Sequence, residues 1–110
     1  MFDQLSVSDL VSMASAQPLL AEEDVAGLVL RIRAGDAAAI EELVVANLRI
    51  AIDEAIRTRG LGRSQRELVR TGVRTLVEAA QVYDPIEHGS FMRHAQSSVH
   101  AAMLKSVQVS

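Results

Sequence analysis

A chain of 110 residues, 49% apolar but only 3% aromatic, allows one compact domain whose core is built from Leu, Ile, Val and Ala, which favours an all-helical fold. It has no cysteine, so disulfides, thiolate metal sites and cysteine nucleophiles are excluded. The net charge of −3 divides unevenly, with ten acids against Arg31, Arg33 and Arg49 in residues 1–56 and eight bases against four acids in residues 57–110.

Turn and cap signals divide the chain into about five helices, with no strand-like alternation of any length. The first runs near Ser6 to Ala16, carries Val7, Leu10, Val11 and Ala14 on one side, and stops before Pro18, which disfavours helix in the residue ahead of it. The second spans about Ala21 to Ala34, acidic in its first turn at Glu22, Glu23 and Asp24 and basic at its end, with Gly35 as the stop. Asp36 caps a long third helix whose apolar stripe from Ile40 to Ile56, with Asn47 on it, keeps helical period up to Gly60. Ser64 and Glu67 form a capping box for the fourth helix, which carries Leu68, Val69, Val73, Leu76 and Val77 toward Tyr83. Asp84-Pro85 breaks it, His88-Gly89 completes a turn, and Ser90 caps a fifth helix bearing Phe91, Ala95, Val99, Ala102 and Met103.

The residue inventory argues against an enzyme. His94 and His100 are six apart, roughly opposite on a helix, and no carboxylate partner makes a metal site, so no metal or cofactor is expected. Gly60 and Gly62 flank Leu61 without the Lys-Ser/Thr of a phosphate loop. The pairs Glu22-Glu23 and Glu41-Glu42 are read as first-turn acids that favour the helix dipole, not as acid/base couples. Charges interrupt every apolar run well short of the roughly 18 residues of a membrane span, so a soluble, cytoplasmic protein without a membrane partner is expected.

One constellation stands out. Arg66, Arg70 and Arg74 follow one another at i, i+4 and i+8 on one side of the fourth helix, with Arg57, Arg59 and Arg63 leading into it. Guanidinium forks suit phosphates and carboxylates, so an acidic protein surface and nucleic acid both fit. A solvated face partly neutralised by Glu67 and by the acidic first half fits as well.

The order of these signals resembles the bacterial sigma-70 family of transcription initiation factors. Asp9 through Leu20, Ala21-Glu22-Glu23-Asp24-Val25, Arg31-Ile32-Arg33-Ala34-Gly35-Asp36 and Leu43-Val44-Val45-Ala46-Asn47-Leu48-Arg49 are similar to the family's P-L-L-T-x-E-E-E, R-I-x-A-G-D and L-V-x-x-N-L-R-L. Arg59-Gly60-Leu61, Glu67-Leu68-Val69-Arg70-Thr71-Gly72, Ala79 to Asp84 and Gly89-Ser90-Phe91 match in order its R-G-L, D-L-I-Q-E-G, A-V-x-K-F-D and G-x-x-F. The likeness covers about residues 9–103 and implies the helical sigma domain 2, regions 1.2 to 2.4. The expectation is a single domain over residues 1–110, without region 3 or region 4 and hence without a reader of the −35 element.

The resemblance also implies where function departs from the family. The segment that meets the basic clamp helices of the polymerase β′ subunit corresponds to Glu67, Arg70, Thr71 and Val73, and only the first keeps its acid. Like charges set against the clamp are unfavourable, so binding to polymerase core is expected to be weak. In the promoter-opening segment the family's tyrosine is replaced by His94 and its tryptophan pair by Ser97 and Ser98. Base stacking on aromatics contributes about 1–3 kcal/mol per base, so promoter DNA binding is expected to be weak or absent.

The reading is a degenerate sigma-70-like domain that acts in transcription regulation through a protein partner: a sigma, an anti-sigma or another regulator. Arg66, Glu67, Arg70, Thr71 and Arg74 are the candidate partner-binding residues. Arg57, Arg59, Arg63, Arg93 and His94 are candidates for residual nucleic-acid binding, with His94 expected on the surface. Two alternatives stand beside it: half of a split sigma factor working with a separate region-4 protein, and a self-associating module using the acidic and basic halves. The oligomeric state is left open.

Overall fold

The computed structural model describes residues 2–17 and 20–108. These form α1 (Val7–Ala16), α2 (Glu22–Arg33), α3 (Ala37–Ala46), α4 (Leu48–Arg57), α5 (Gln65–Val82), α6 (Pro85–His88) and α7 (Phe91–Gln108), with no strand among the described residues. The fold is all-α as expected, with seven helices among the described residues in place of about five.

Local chemistry accounts for most of the helix ends. Ser6 and Asp9 form a reciprocal capping box on α1, each side chain accepting from the other's backbone N–H at 3.0 Å. Helix α1 ends at Ala16, and Pro18, expected to stop it, lies outside the described residues. After α2, Gly35 turns the chain at φ 92°, a conformation that a side chain would resist. One oxygen of Asp36 accepts from the Ala38 N–H at 3.0 Å and caps α3, while the other accepts from Arg31 Nε at 2.9 Å. The Arg31 guanidinium holds the Asp36 carboxyl below the usual range. Ser90 caps α7 by accepting from the Arg93 N–H at 3.2 Å.

Three expectations need correction. The long third helix is broken at Asn47 into α3 and α4. The Asn47 side-chain amide donates to the Leu43 carbonyl at 2.9 Å, taking the acceptor that its own backbone N–H would use in a continuous helix. That N–H turns instead to Val44 O at 3.0 Å, and the Asn47 carbonyl accepts from Ile50 N at 3.0 Å. Second, the Ser64 box is half made: Ser64 Oγ accepts from the Glu67 N–H at 3.2 Å, but the Glu67 carboxylate turns to Arg63 at 3.7 Å. Third, Glu41 and Glu42 stand in the second turn of α3, and Glu42 pairs with Arg31 at 3.1 Å.

Helix α5 is the hub of the domain, packed by α3, α4 and α7, while α1 lies on α4 and α2 on α3. Its buried stripe is Leu68, Val69, Val73 and Leu76, and it meets Leu43, Val44 and Leu48 from α3 and α4 and Val99 and Met103 from α7 in one core cluster. At Gly72 the helices come closest. A Cβ there would sit 2.7 Å from both Ala51 Cβ and Met103 Cε, so α4 and α7 press directly on the α5 backbone.

Candidate protein-interaction surface

With its stripe turned inward, α5 presents Arg66, Arg70 and Arg74 outward, and all three are exposed. At 1.5 Å per residue they extend over roughly 12 Å of helix. None of the three makes an ion pair within the described residues. Arg70 does reach one neutral partner, donating to the backbone carbonyl of Asp3 at 3.3 Å. Glu67 is engaged by Arg63, and Thr71 is half-buried, its carbonyl accepting from the Thr75 hydroxyl at 2.8 Å. Among the described residues, then, no carboxylate of the acidic first half closes an ion pair on this row. Among the described residues, Glu54 of that half meets two bases of the other, Arg57 at 3.0 Å and His100 at 2.5 Å.

The five residues considered for nucleic acid do not form one patch. Arg57 is tied to Glu54, Arg59 is exposed, and Arg63 donates from Nε to the Ser106 carbonyl at 3.1 Å, near the end of α7. Arg93 is exposed at the start of α7, which places it roughly 20 Å along the helix from Ser106.

His94 is not a surface residue; it is half-buried in an aromatic stack. Its ring lies 4.0 Å from that of His88 at 16°, and 5.9 Å from that of Tyr83, which in turn meets Phe91 edge-on at 5.2 Å. His88 is held by its Nδ1 accepting from the Asp84 N–H at 3.0 Å, and the Tyr83 hydroxyl donates to the Gly89 carbonyl. His94 Nε2 is buried without a hydrogen-bond partner. Burial, with the neighbouring His88, lowers the His94 pKa, and burial next to Asp84 and Glu22 raises that of Tyr83. Of the positions that correspond to the family's tryptophans, Ser97 is exposed and Ser98 half-buried. Sequence reasoning passed over His88, Tyr83 and the Glu54–His100 contact as site elements, because each depends on a pairing between segments.

Among the described residues no cluster of three or more His, Cys, Asp or Glu could hold a metal ion, and no helix is long and apolar enough to cross a membrane. No protein-family model matches the chain. Two curated proteins do. Over 80 residues, 73% of this chain, it is 36% identical to the RNA polymerase sigma-C factor of Myxococcus xanthus, covering 27% of that protein. Over 90 residues, 82% of the chain, it is 30% identical to the RNA polymerase sigma factor SigA of Clostridium acetobutylicum, covering 24% of it. The chain thus spans about a quarter of the length of these relatives. Two matches over most of the chain, together with an all-helical fold, make this a domain of the sigma-70 family.

Proposed function

We propose that this domain works in transcription control through protein contacts made by α5, in place of the polymerase and promoter contacts of a complete sigma factor. One observation carries the reading: Arg66, Arg70 and Arg74 stand exposed on one helix face with no ion pair among the described residues. Such a row fits an acidic helix along two turns and repels a basic clamp, a juxtaposition that costs several kcal/mol where desolvated. The substitutions at Ser97 and Ser98 and the enclosure of His94 take away platforms for unstacked bases. The partner is a sigma, an anti-sigma or another regulator of initiation.

A second reading has its own support, since both relatives named above are RNA polymerase sigma factors. In it the chain is half of a split sigma factor and engages polymerase core beside a separate region-4 protein. Affinity capture from the native host, with wild type and with the triple variant Arg66→Glu, Arg70→Glu, Arg74→Glu, separates the two. The first reading expects a regulatory protein, lost in the variant while circular dichroism and melting temperature are unchanged. Stoichiometric polymerase subunits favour the second. A folded triple variant that retains the regulator sinks the α5 assignment.

A further inference from the structure

The residues before α1 contribute a wall to the α5 surface. Leu5 N–H donates to the Phe2 carbonyl at 3.2 Å, closing a turn that Arg70 pins to α5 through the Asp3 carbonyl at 3.3 Å. Phe2 is buried. Between this turn and α5 lies a hollow of about 230 Å³ whose apolar walls are Phe2, Leu5, Leu10, Val73 and Val77. Arg70, Arg74, Glu78 and Asp3 line it as well. The volume is below the roughly 300 Å³ where small-molecule sites begin, and suits a single large side chain. Glu78 stands four residues beyond Arg74, so the exposed row reads three cations and then an anion along one face.

We propose that this hollow is an anchor pocket, and that the partner of α5 is an acidic amphipathic helix which inserts one large apolar residue there. The proposal rests on the α5 reading given above and adds the chemistry of the partner. The partner's carboxylates lie along Arg66, Arg70 and Arg74, and its end nearest Glu78 carries a basic or neutral residue, which sets its direction. A central apolar anchor ringed by charge is the usual arrangement of a helix-in-groove interface, where affinity concentrates on the anchor. Because Arg70 holds the Phe2–Leu5 turn in place, the pocket is formed before the partner arrives.

The test is selection from a phage-displayed random peptide library on the full chain, followed by affinity measurement of the enriched peptides against variants. Val77→Phe fills the hollow, Leu5→Ala removes part of its far wall, and Arg66→Glu with Arg74→Glu reverses the flanking charge while leaving the Arg70 contact to the Asp3 carbonyl in place. Melting curves verify that each variant is folded. The expected consensus is one Leu, Ile, Met or Phe flanked by at least two acids, with binding weakened about tenfold or more by Val77→Phe or Leu5→Ala and by the charge reversal. Acidic peptides without an apolar anchor, sensitive to the arginines but not to Val77→Phe or Leu5→Ala, overturn the pocket and leave the α5 surface standing. Peptides indifferent to all the variants, or no enrichment, overturn both the pocket and its acidic occupant.

Discussion

Glu54 of α4 and His100 of α7 meet at 2.5 Å across 46 residues of chain, and Arg57 holds the other Glu54 oxygen at 3.0 Å. Glu54 is 7% exposed, so its carboxylate depends on these two donors to offset lost hydration. His100→Ala removes one of them. The His100 side chain is 57% exposed, which discounts the effect to about 1 kcal/mol. Urea unfolding should show that loss with an unchanged m value, and an equal stability for wild type and variant would mean that Arg57 alone suffices.

The half-buried His94, with its Nε2 enclosed, makes stability depend on pH. In the unfolded chain its imidazole titrates at about 6.5, and in the fold it titrates lower. Between those values the unfolded chain holds the proton and the native state does not, so stability is full above about pH 6.5 and declines as pH falls toward the lowered value. His94→Phe keeps an aromatic ring beside His88 and Tyr83 and removes the unpartnered Nε2. It should flatten the profile and add about 1 kcal/mol at neutral pH. Thermal melts at about pH 7.5 and 5.5 read both effects.

Gly72→Ala should be costly although alanine is the better helix former. The new methyl would lie 2.7 Å from Ala51 Cβ and Met103 Cε, and Ala51 Cα at 3.1 Å cannot swing aside as a side chain does. Overpacking of this kind costs about 1–3 kcal/mol, a fall of several degrees in melting temperature for a domain of this size. Unchanged melting would mean that α4 slides freely along α5.

The features visible in the sequence are those set within a turn or two of chain. Asp36, Ser64 and Ser90 accept from N–H groups two or three residues ahead, so their caps could be read from spacing alone. The exposure of Arg66, Arg70 and Arg74 follows from helical period and the buried stripe beside it. Asn47 misled because it lies on the apolar stripe, and helical period says nothing of whether its amide turns back on the Leu43 carbonyl. His94 misled because the short α6, not α7 itself, brings His88 over its ring. The Phe2–Leu5 wall joins α5 through a contact 67 residues long, beyond any local pattern.

Binding to core RNA polymerase should be weak at moderate salt and should improve when the family's residues are restored. Arg70→Gln with Thr71→Glu removes one cation from the exposed face and adds one anion at the half-buried Thr71 beside it, a change that favours a basic partner surface. Co-purification with core should rise several-fold in the double variant. Stoichiometric capture by wild type would show that the arginine row does not oppose the clamp.

Any affinity for DNA should be electrostatic. With Ser97 and Ser98 where stacking platforms would stand, a −10 oligonucleotide should bind no better than a scrambled one, and both should be lost steeply as salt rises. Fluorescence anisotropy of the two oligonucleotides across a salt series measures this. Salt-tolerant preference for the −10 sequence would contradict it.

The contact at Gly72 also acts as a key in a slot. With Ala51 of α4 seated against bare backbone and the tip of Met103 beside it, a rotation of α5 about its axis or a shift by a turn would drive Ala51 out of place. The compass bearing of Arg66, Arg70 and Arg74 is thereby locked from beneath. Substitution of residues on that outer face leaves the Gly72 contact untouched, so the chemistry of the face can change while the direction in which it points stays the same.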